Sequence, residues 1–426
     1  MEQRKRKIIV TFLFIFLCCT LVGCSVPQLL SGAESSNNGK ITLTLWYPKN
    51  SINDKLLAQV STQFPNIRIR ALKIGGSFDA KFRVTLAGQS NIPDLVALNY
   101  NIATYFPDAD QFVNLLTLGA GDIKNEYLNW KWNLATTPDG RLIALPMDIG
   151  PTVLFYRPDI FRQAGLPTDP NTVASRLDSW DAYIQAGQQL QSALHGKSYM
   201  FDDTDAVFEQ IMSQSPWQYF DRANNYIGDQ SHVRRAWDYA TRINQLGLTA
   251  KATEETSEWS AAVSNGTIAS FVGASWMEQK LVLSAQSTAG KWRIAQAPGG
   301  AGNNGGSYLA ITRASVHPRE AYEVMKWLLS PSHQLQTFLS NKIFPSTPVV
   351  YNDPRMERSD VFLGGELASK VFSQTAEQVK VNYLGPNATI VDNVFQHELS
   401  LVEAQNTNPD IAWNEAQQEI QRELSH

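Results

Sequence analysis

Residues 41–98 read ITLTLWYPKNSINDKLLAQVSTQFPNIRIRALKIGGSFDAKFRVTLAGQSNIPDLVAL. Ile41, Leu43 and Leu45 alternate with threonines, the period of a strand, and Trp46-Tyr47-Pro48 ends it. Leu56, Leu57, Val60 and Phe64 follow at helical spacing, and Pro65-Asn66 stops that helix. Ile67, Ile69 and Ala71 alternate with Arg68 and Arg70, a second strand. A helix through Phe82, Val84 and Leu86 then leads to Pro93 and the apolar run Asp94-Leu95-Val96-Ala97-Leu98. Strand, helix, strand, helix, strand is the rhythm of a parallel α/β sheet.

Further along, the alternation repeats with different spacing. Leu154-Phe155-Tyr156 predicts a strand, Trp180 to Leu190 a helix, Ala236 to Leu246 another helix, and Thr267 to Val272 another strand. Lys291–Ala297 and Ser307–Thr312 read as a strand pair around a glycine-rich loop. Pro318 opens a helix with Ala321, Val324, Met325, Leu328 and Leu329 on one face. No short-period repeat occurs. The expectation is an α/β protein of two lobes.

The chain begins with a different signal. Arg4, Lys5, Arg6 and Lys7 precede an apolar run over residues 8–22, which closes on Leu21-Val22-Gly23-Cys24. A basic start, a short apolar stretch and small residues at a cleavage point mark a secretory signal. The run is shorter than the roughly 20 residues of a permanent spanning helix. Leu-Val-Gly-Cys resembles the lipobox of bacterial lipoproteins, which implies cleavage after Gly23 and acylation of Cys24, palmitate included. Two or more acyl chains give a lasting membrane anchor. Residues 1–23 are then the signal and residues 24–40, rich in Ser, Gly and Asn, a flexible tether.

Composition narrows the classes. Cleavage removes four of the 36 basic and one of the 40 acidic residues, leaving 32 against 39, a net charge of −7. That dispersed acidity argues against a nucleic-acid partner and against a polybasic membrane patch. Cys18 and Cys19 lie in the signal, so the exported chain keeps only Cys24 and relies on its apolar core instead of disulfides. A catalytic thiol and thiolate metal sites are excluded. The six histidines are scattered without ligand spacing, so no metal and no cofactor is expected.

Seven segments in order carry a family resemblance. They are the tryptophan-ended ITLTLW with its helix closing on FPNIRI, PDLVAL, DGRLIALPMDIGPTVLFYRPDIFRQAGLP, DSWDAYIQAGQQL, PWQYFDRANN, NGTIASFVGASW and PGGAGNNGGSYLAIT. The chain resembles the extracellular solute-binding proteins of carbohydrate ABC importers, the group that includes maltose-binding protein. Leu145-Pro146-Met147-Asp148 and Ser215-Pro216-Trp217 depart from the family pattern. The resemblance implies the periplasmic-binding-protein fold of class II, with hinged lobes and several chain crossings. It divides the chain into residues 41–147 (first lobe), 148–297 (second lobe), 298–348 (first lobe again) and 349–426 (second lobe, helical). It also implies a monomer that is not an enzyme. Such a protein holds a sugar or oligosaccharide in the cleft and presents it to the transmembrane subunits of a permease at the extracytoplasmic face of the cell membrane.

A sugar offers C–H faces to aromatic rings and hydroxyls to carboxylates and amides. Trp276 follows a strand and stands where the family's tryptophan stacks on ligand. Trp46 ends the first strand; Trp217 and Tyr219 lie in PWQYFD. Asp148, in PMDIGP, sits at the expected first crossing, and Asn99 and Tyr100 follow the Leu95–Leu98 strand. Gly305, Gly306 and Ser307 offer backbone donors with little bulk. Gly300 to Gly305 fits G-x-G-x-x-G in letters, but a strand-like segment follows where a dinucleotide site needs a helix. Two rivals stay open. An exported polysaccharide hydrolase would need two converging carboxylates, Asp148 and Glu278 being examples. A receptor of the same architecture for a peptide or polyamine would use aromatic and acidic residues on a cation.

Overall fold

The computed structural model describes residues 39–49, 51–381 and 383–425; the signal, Cys24 and most of the tether lie outside the described residues. Along the chain the strands are β1 (Ile41–Pro48), β2 (Ile67–Ile74), β3 (Leu95–Leu98), β4 (Ala144–Pro146), β5 (Asp148–Ile149), β6 (Thr152–Tyr156), β7 (Ser270–Ala274), β8 (Arg293–Gln296), β9 (Tyr308–Ile311) and β10 (Phe344–Pro345). The first sheet has the order β2-β1-β3-β9-β4. β1 runs parallel to both β2 and β3, as the sequence rhythm requires.

Side-chain alternation explains how β1 is held. Leu43, Leu45 and Tyr47 are buried, and the Tyr47 hydroxyl donates to Asp54 Oδ1 at 2.9 Å in the first turn of the covering helix Asp54–Gln63. Asn53 caps that helix, accepting from the amides of Lys55 and Leu56. β3 is locked beside β1 by Asp94, whose Oδ2 accepts from both the amide and the hydroxyl of Thr44 at 2.7 Å. The Asp of PDLVAL therefore orders the sheet before any ligand is considered.

Two expectations need correction. The first sheet is mixed, because β9 lies antiparallel to β3 and β4. Lys291–Ala297 and Ser307–Thr312 are not a strand pair: β8 joins β6 in a second, antiparallel sheet of order β7-β6-β8, and β9 returns to the first. Hairpin loops are usually two to five residues. The segment between β8 and β9 is longer than that, and it carries the chain from one sheet to the other.

The two sheets do not own separate cores. One face of the second sheet (Val153, Phe155, Phe271, Ile294) belongs to the same apolar cluster as Leu43, Leu95 and Leu309 of the first sheet. Phe372, on the helix Ala368–Gln378, packs between β10 and the second sheet, with ring centroids 5.7 Å from Phe344 and 6.4 Å from Phe155. The opposite face (Leu154, Tyr156, Val272, Ala295) packs on the helices that carry Trp180, Phe208, Trp237, Phe395 and Trp413.

Three chain crossings lie side by side. The Met147 amide donates to Ser307 O, Asn304 N to Gly150 O at 2.8 Å, and Thr152 N to Gly302 O at 3.0 Å. On the other flank β5 pairs antiparallel with β10, Ile149 opposite Phe344 and Asp148 opposite Pro345. Gly150 is required at the centre of this ribbon, since a Cβ there would fall 1.9 Å from Asn304 O. Gly150→Ala is expected to destabilise the protein by about 1–3 kcal/mol, the range for forced overpacking. A denaturant midpoint equal to wild type would show that the ribbon can yield.

Candidate functional site

A cavity open to solvent lies beyond the carboxyl end of β3. In open α/β sheets that is where ligands bind. Tyr100 follows β3, Lys131 comes from the short helix Asn129–Leu134, and Asn303 to Gly305 belong to the crossing before β9. The opposite wall supplies Glu209 from helix Thr204–Gln214 and Asp392 from helix Ala388–Gln405. Residues of the first sheet's side, the crossing and the second sheet's helices thus converge on one space.

Lys131 is fully buried. Its Nζ stands 3.8 Å over the Tyr308 ring and has no hydrogen-bond acceptor among the described residues. Burial pulls its pKa down to about 7, against the opposing pull of the nearby Asp148 carboxylate. Gly306, at φ +89°, permits this approach, for a Cβ there would sit 2.7 Å from Lys131 Nζ and 2.5 Å from Asp148 O.

The facing wall is acidic. Tyr219 donates its hydroxyl to Asp392 Oδ1 at 2.7 Å, and its ring stacks on Phe395. Gln396 Nε2 donates to Glu209 Oε1 at 2.7 Å, and Asn304 Nδ2 reaches Glu209 Oε2 at 3.4 Å. Gln396 lies one turn beyond Asp392, so Glu209 packs against the helix face that presents Asp392. Burial first, and then the Asp392 charge, push Glu209 up to about 7. Burial raises Asp392 as well. Such groups take part in many functional sites, since water has been replaced there by fixed polar partners.

The residues singled out from the sequence divide unevenly around this cavity. Tyr100, Tyr219 and Gly305 line it. Trp276 is half-buried at the end of β7; its Nε1 donates to Asn304 O at 3.1 Å and Lys280 Nζ lies 4.7 Å over its ring, so it touches the lining segment from behind. Asp148 accepts the Ser307 amide at 2.9 Å and lines a separate small cavity with Ile52, Leu56 and Gln334. Gly306 and Ser307 serve the same junction. Asn99 donates to Asp79 Oδ2 at 2.7 Å, tying the end of β3 to helix Phe78–Gly88. Trp46 packs on the first core, and Trp217 is 44% exposed away from the cavity lining. Asp148 and Glu278 do not converge: Glu278 pairs with Lys342 at 3.1 Å beside a third cavity, so those two offer no hydrolytic pair.

Lys131, Glu209, Asp392 and Asn304 escaped the sequence reading. A lysine between Trp130 and Trp132 is a visible sign of a buried charge. Glu209 and Asp392 carry no such sign, because each sits on a helix face whose exposure depends on distant packing.

The raised carboxyls set the pH response. Asp203 (about 6), Glu209, Glu254, Glu278 and Glu366 (each about 7) all bind protons more tightly folded than unfolded. The folded state then holds more protons between about pH 4.5 and 7, so stability falls as pH rises through that window. Thermal unfolding is expected at a higher Tm at pH 5 than at pH 7, with a smaller difference in Glu209→Gln. A Tm that rises from pH 5 to pH 7 would contradict this.

Residues 55–361 match the family of bacterial extracellular solute-binding proteins. The chain is 26% identical over 271 residues to the lactose-binding protein of Rhizobium radiobacter, covering 60% of this chain and 62% of that one. It is 23% identical over 233 residues to an arabinooligosaccharide-binding protein of Bacillus subtilis, covering 52% and 51%. The chain thus spans roughly half to three-fifths of the length of these two relatives. The crystal structure of an extracellular solute-binding protein of family 1 superposes with a TM-score of 0.86 at 29% identity, covering 90% of this chain and 99% of that one. The mixed first sheet, the small antiparallel second sheet and the crossings between them are the two-lobed architecture of such proteins. The chain is a member of the bacterial extracellular solute-binding protein family.

Proposed function

We propose that this chain is the substrate-binding protein of an ABC importer, that it captures a sugar or oligosaccharide in the cleft between its lobes, and that it delivers it unaltered to a membrane permease. The observation that carries this reading is the cavity in which Tyr100, Lys131, Asn304, Glu209 and Asp392 converge from both sides of the crossings. Amides and carboxylates suit vicinal hydroxyls, and the exposed Tyr100 ring suits a sugar's C–H face. Relatives named for lactose and for arabinooligosaccharides point to the same ligand class. Closure of the lobes on the ligand would proceed by bending at the ribbon of crossings, in the manner of hinged binding proteins. Trp276, resting on Asn304, would then either meet the ligand directly or fix the crossing that does. Asp148, Asn99, Gly306 and Ser307 act as positioning residues in this reading, and Trp46 and Trp217 take up ligand only if it extends beyond the cavity.

Cys24 would anchor the protein by lipid to the outer face of the cell membrane. Cys24→Ala is expected to move the protein from the membrane fraction to the soluble fraction; retention on the membrane would refute the anchor. Thermal unfolding against a library of sugars tests the function itself. A true ligand at 100 times its Kd adds about 2.7 kcal/mol of stability, and no shift with any sugar would sink the reading. Trp276→Ala is expected to weaken binding of the sugar so found by at least about 1–2 kcal/mol, the scale of lost aromatic contact, measured by calorimetry.

A further inference from the structure

Glu209 and Asp392 are the carboxylates that line the cavity, and further carboxylates stand next to Glu209 on and beside its helix, outside that lining. Glu209 and Asp205 stand four residues apart on one helix face, Asp203 caps that same helix by accepting the Ala206 amide at 2.7 Å, and Glu403 accepts from Thr204 beside it. Asp392 adds a further carboxylate from the neighbouring helix. Asp205 Oδ1 has no hydrogen-bond partner among the described residues. These groups repel one another: Glu209, Asp203, Asp392 and Glu403 all push Asp205 well above the usual carboxylate range, after burial itself. Among the described residues the only lysine or arginine lining the cavity is Lys131, on the opposite wall, where burial works against its charged form. Neutral hydroxyls would satisfy single acceptors here and leave the mutual repulsion in place. Without a cation, proton uptake relieves it, as the raised pKa values reflect, and a bound cation would take the place of those protons.

Lys131 gives the cavity an unmet donor. Its Nζ is buried, lines the cavity and has no acceptor among the described residues. An ammonium so placed needs an oxygen lone pair from whatever enters. The occupant must therefore offer acceptor oxygens toward Lys131 and a strong donor toward the acidic wall. We propose that the preferred ligand is an amino sugar, its primary ammonium seated between Glu209 and Asp392 and its hydroxyl or ring oxygens directed at Lys131. This rests on the sugar-receptor reading above and narrows it to a cationic class.

Calorimetry near pH 7 tests the proposal on the full exported chain. The probes are disaccharides of glucosamine and of galactosamine with free amines, the same sugars N-acetylated, their neutral hexose counterparts, and putrescine. At least one free-amine disaccharide is expected to bind tenfold or more tighter than its acetylated and neutral counterparts. That preference is expected to collapse in Glu209→Gln and, independently, in Asp392→Asn, whereas Lys131→Met weakens acetylated, neutral and amine forms alike. Circular dichroism of each variant shows whether it folds, and either carboxylate variant alone suffices. Neutral sugars binding as tightly as their amine forms, or a preference that survives both carboxylate variants, overturns the amino-sugar inference and leaves the sugar receptor standing. Putrescine binding with no sugar binding overturns both. Failure of every probe also overturns the amino-sugar inference.

Discussion

The structure depends on the ribbon in which three crossings between the sheets are hydrogen-bonded to each other. Segment 147–152 is its middle strand, with 302–307 on one side and β10 on the other. A single peptide link between two lobes would leave their relative rotation nearly free. Three links joined laterally by hydrogen bonds hold the two sheets' segments together more firmly than one would. The tight contact of Gly150 with Asn304 then fixes where Asn303, Asn304 and Gly305 stand, and these are the residues that close the cavity. Cleft geometry is set by backbone contacts outside the cleft.

Sequence periodicity carried the first sheet well, because β1, β2 and β3 have local patterns and short helical connections. It carried the topology around β8 and β9 poorly. A hairpin and an inter-sheet crossing present the same local text, two apolar runs flanking glycines, and only the partner strands distinguish them. The site was harder to read for a related reason. Tyr100, Tyr219 and Gly305 were accessible as residues at strand ends, in a cleft-like loop and in a glycine-rich crossing. Asp148 stands at the crossing as its sequence neighbourhood suggests, with Oδ1 accepting the Ser307 amide, and it lines the neighbouring small cavity. Glu209 and Asp392 are 183 residues apart in sequence and meet only because helices Thr204–Gln214 and Ala388–Gln405 pack together. No local pattern encodes that meeting.

The acidic wall also departs from what stability alone would select. Buried like charges with raised pKa values oppose folding, and isosteric amides would relieve much of that opposition. A lysine without an acceptor, facing them across a cavity, adds to the same imbalance. Local conflicts of this kind concentrate where a protein meets its ligand, with the surrounding core supplying the compensation. Here that compensation is visible in the apolar packing behind each wall: Tyr219 on Phe395, and Phe395 on Trp237 and Trp413.

The apolar seam through Phe344, Phe372 and Phe155 has an evolutionary and physiological consequence. Because it ties β10, beside the crossings, to one face of the second sheet, loosening of either is opposed by the packing of the other. For an exported molecule exposed to proteases, such coupling limits the locally opened forms that can be cleaved.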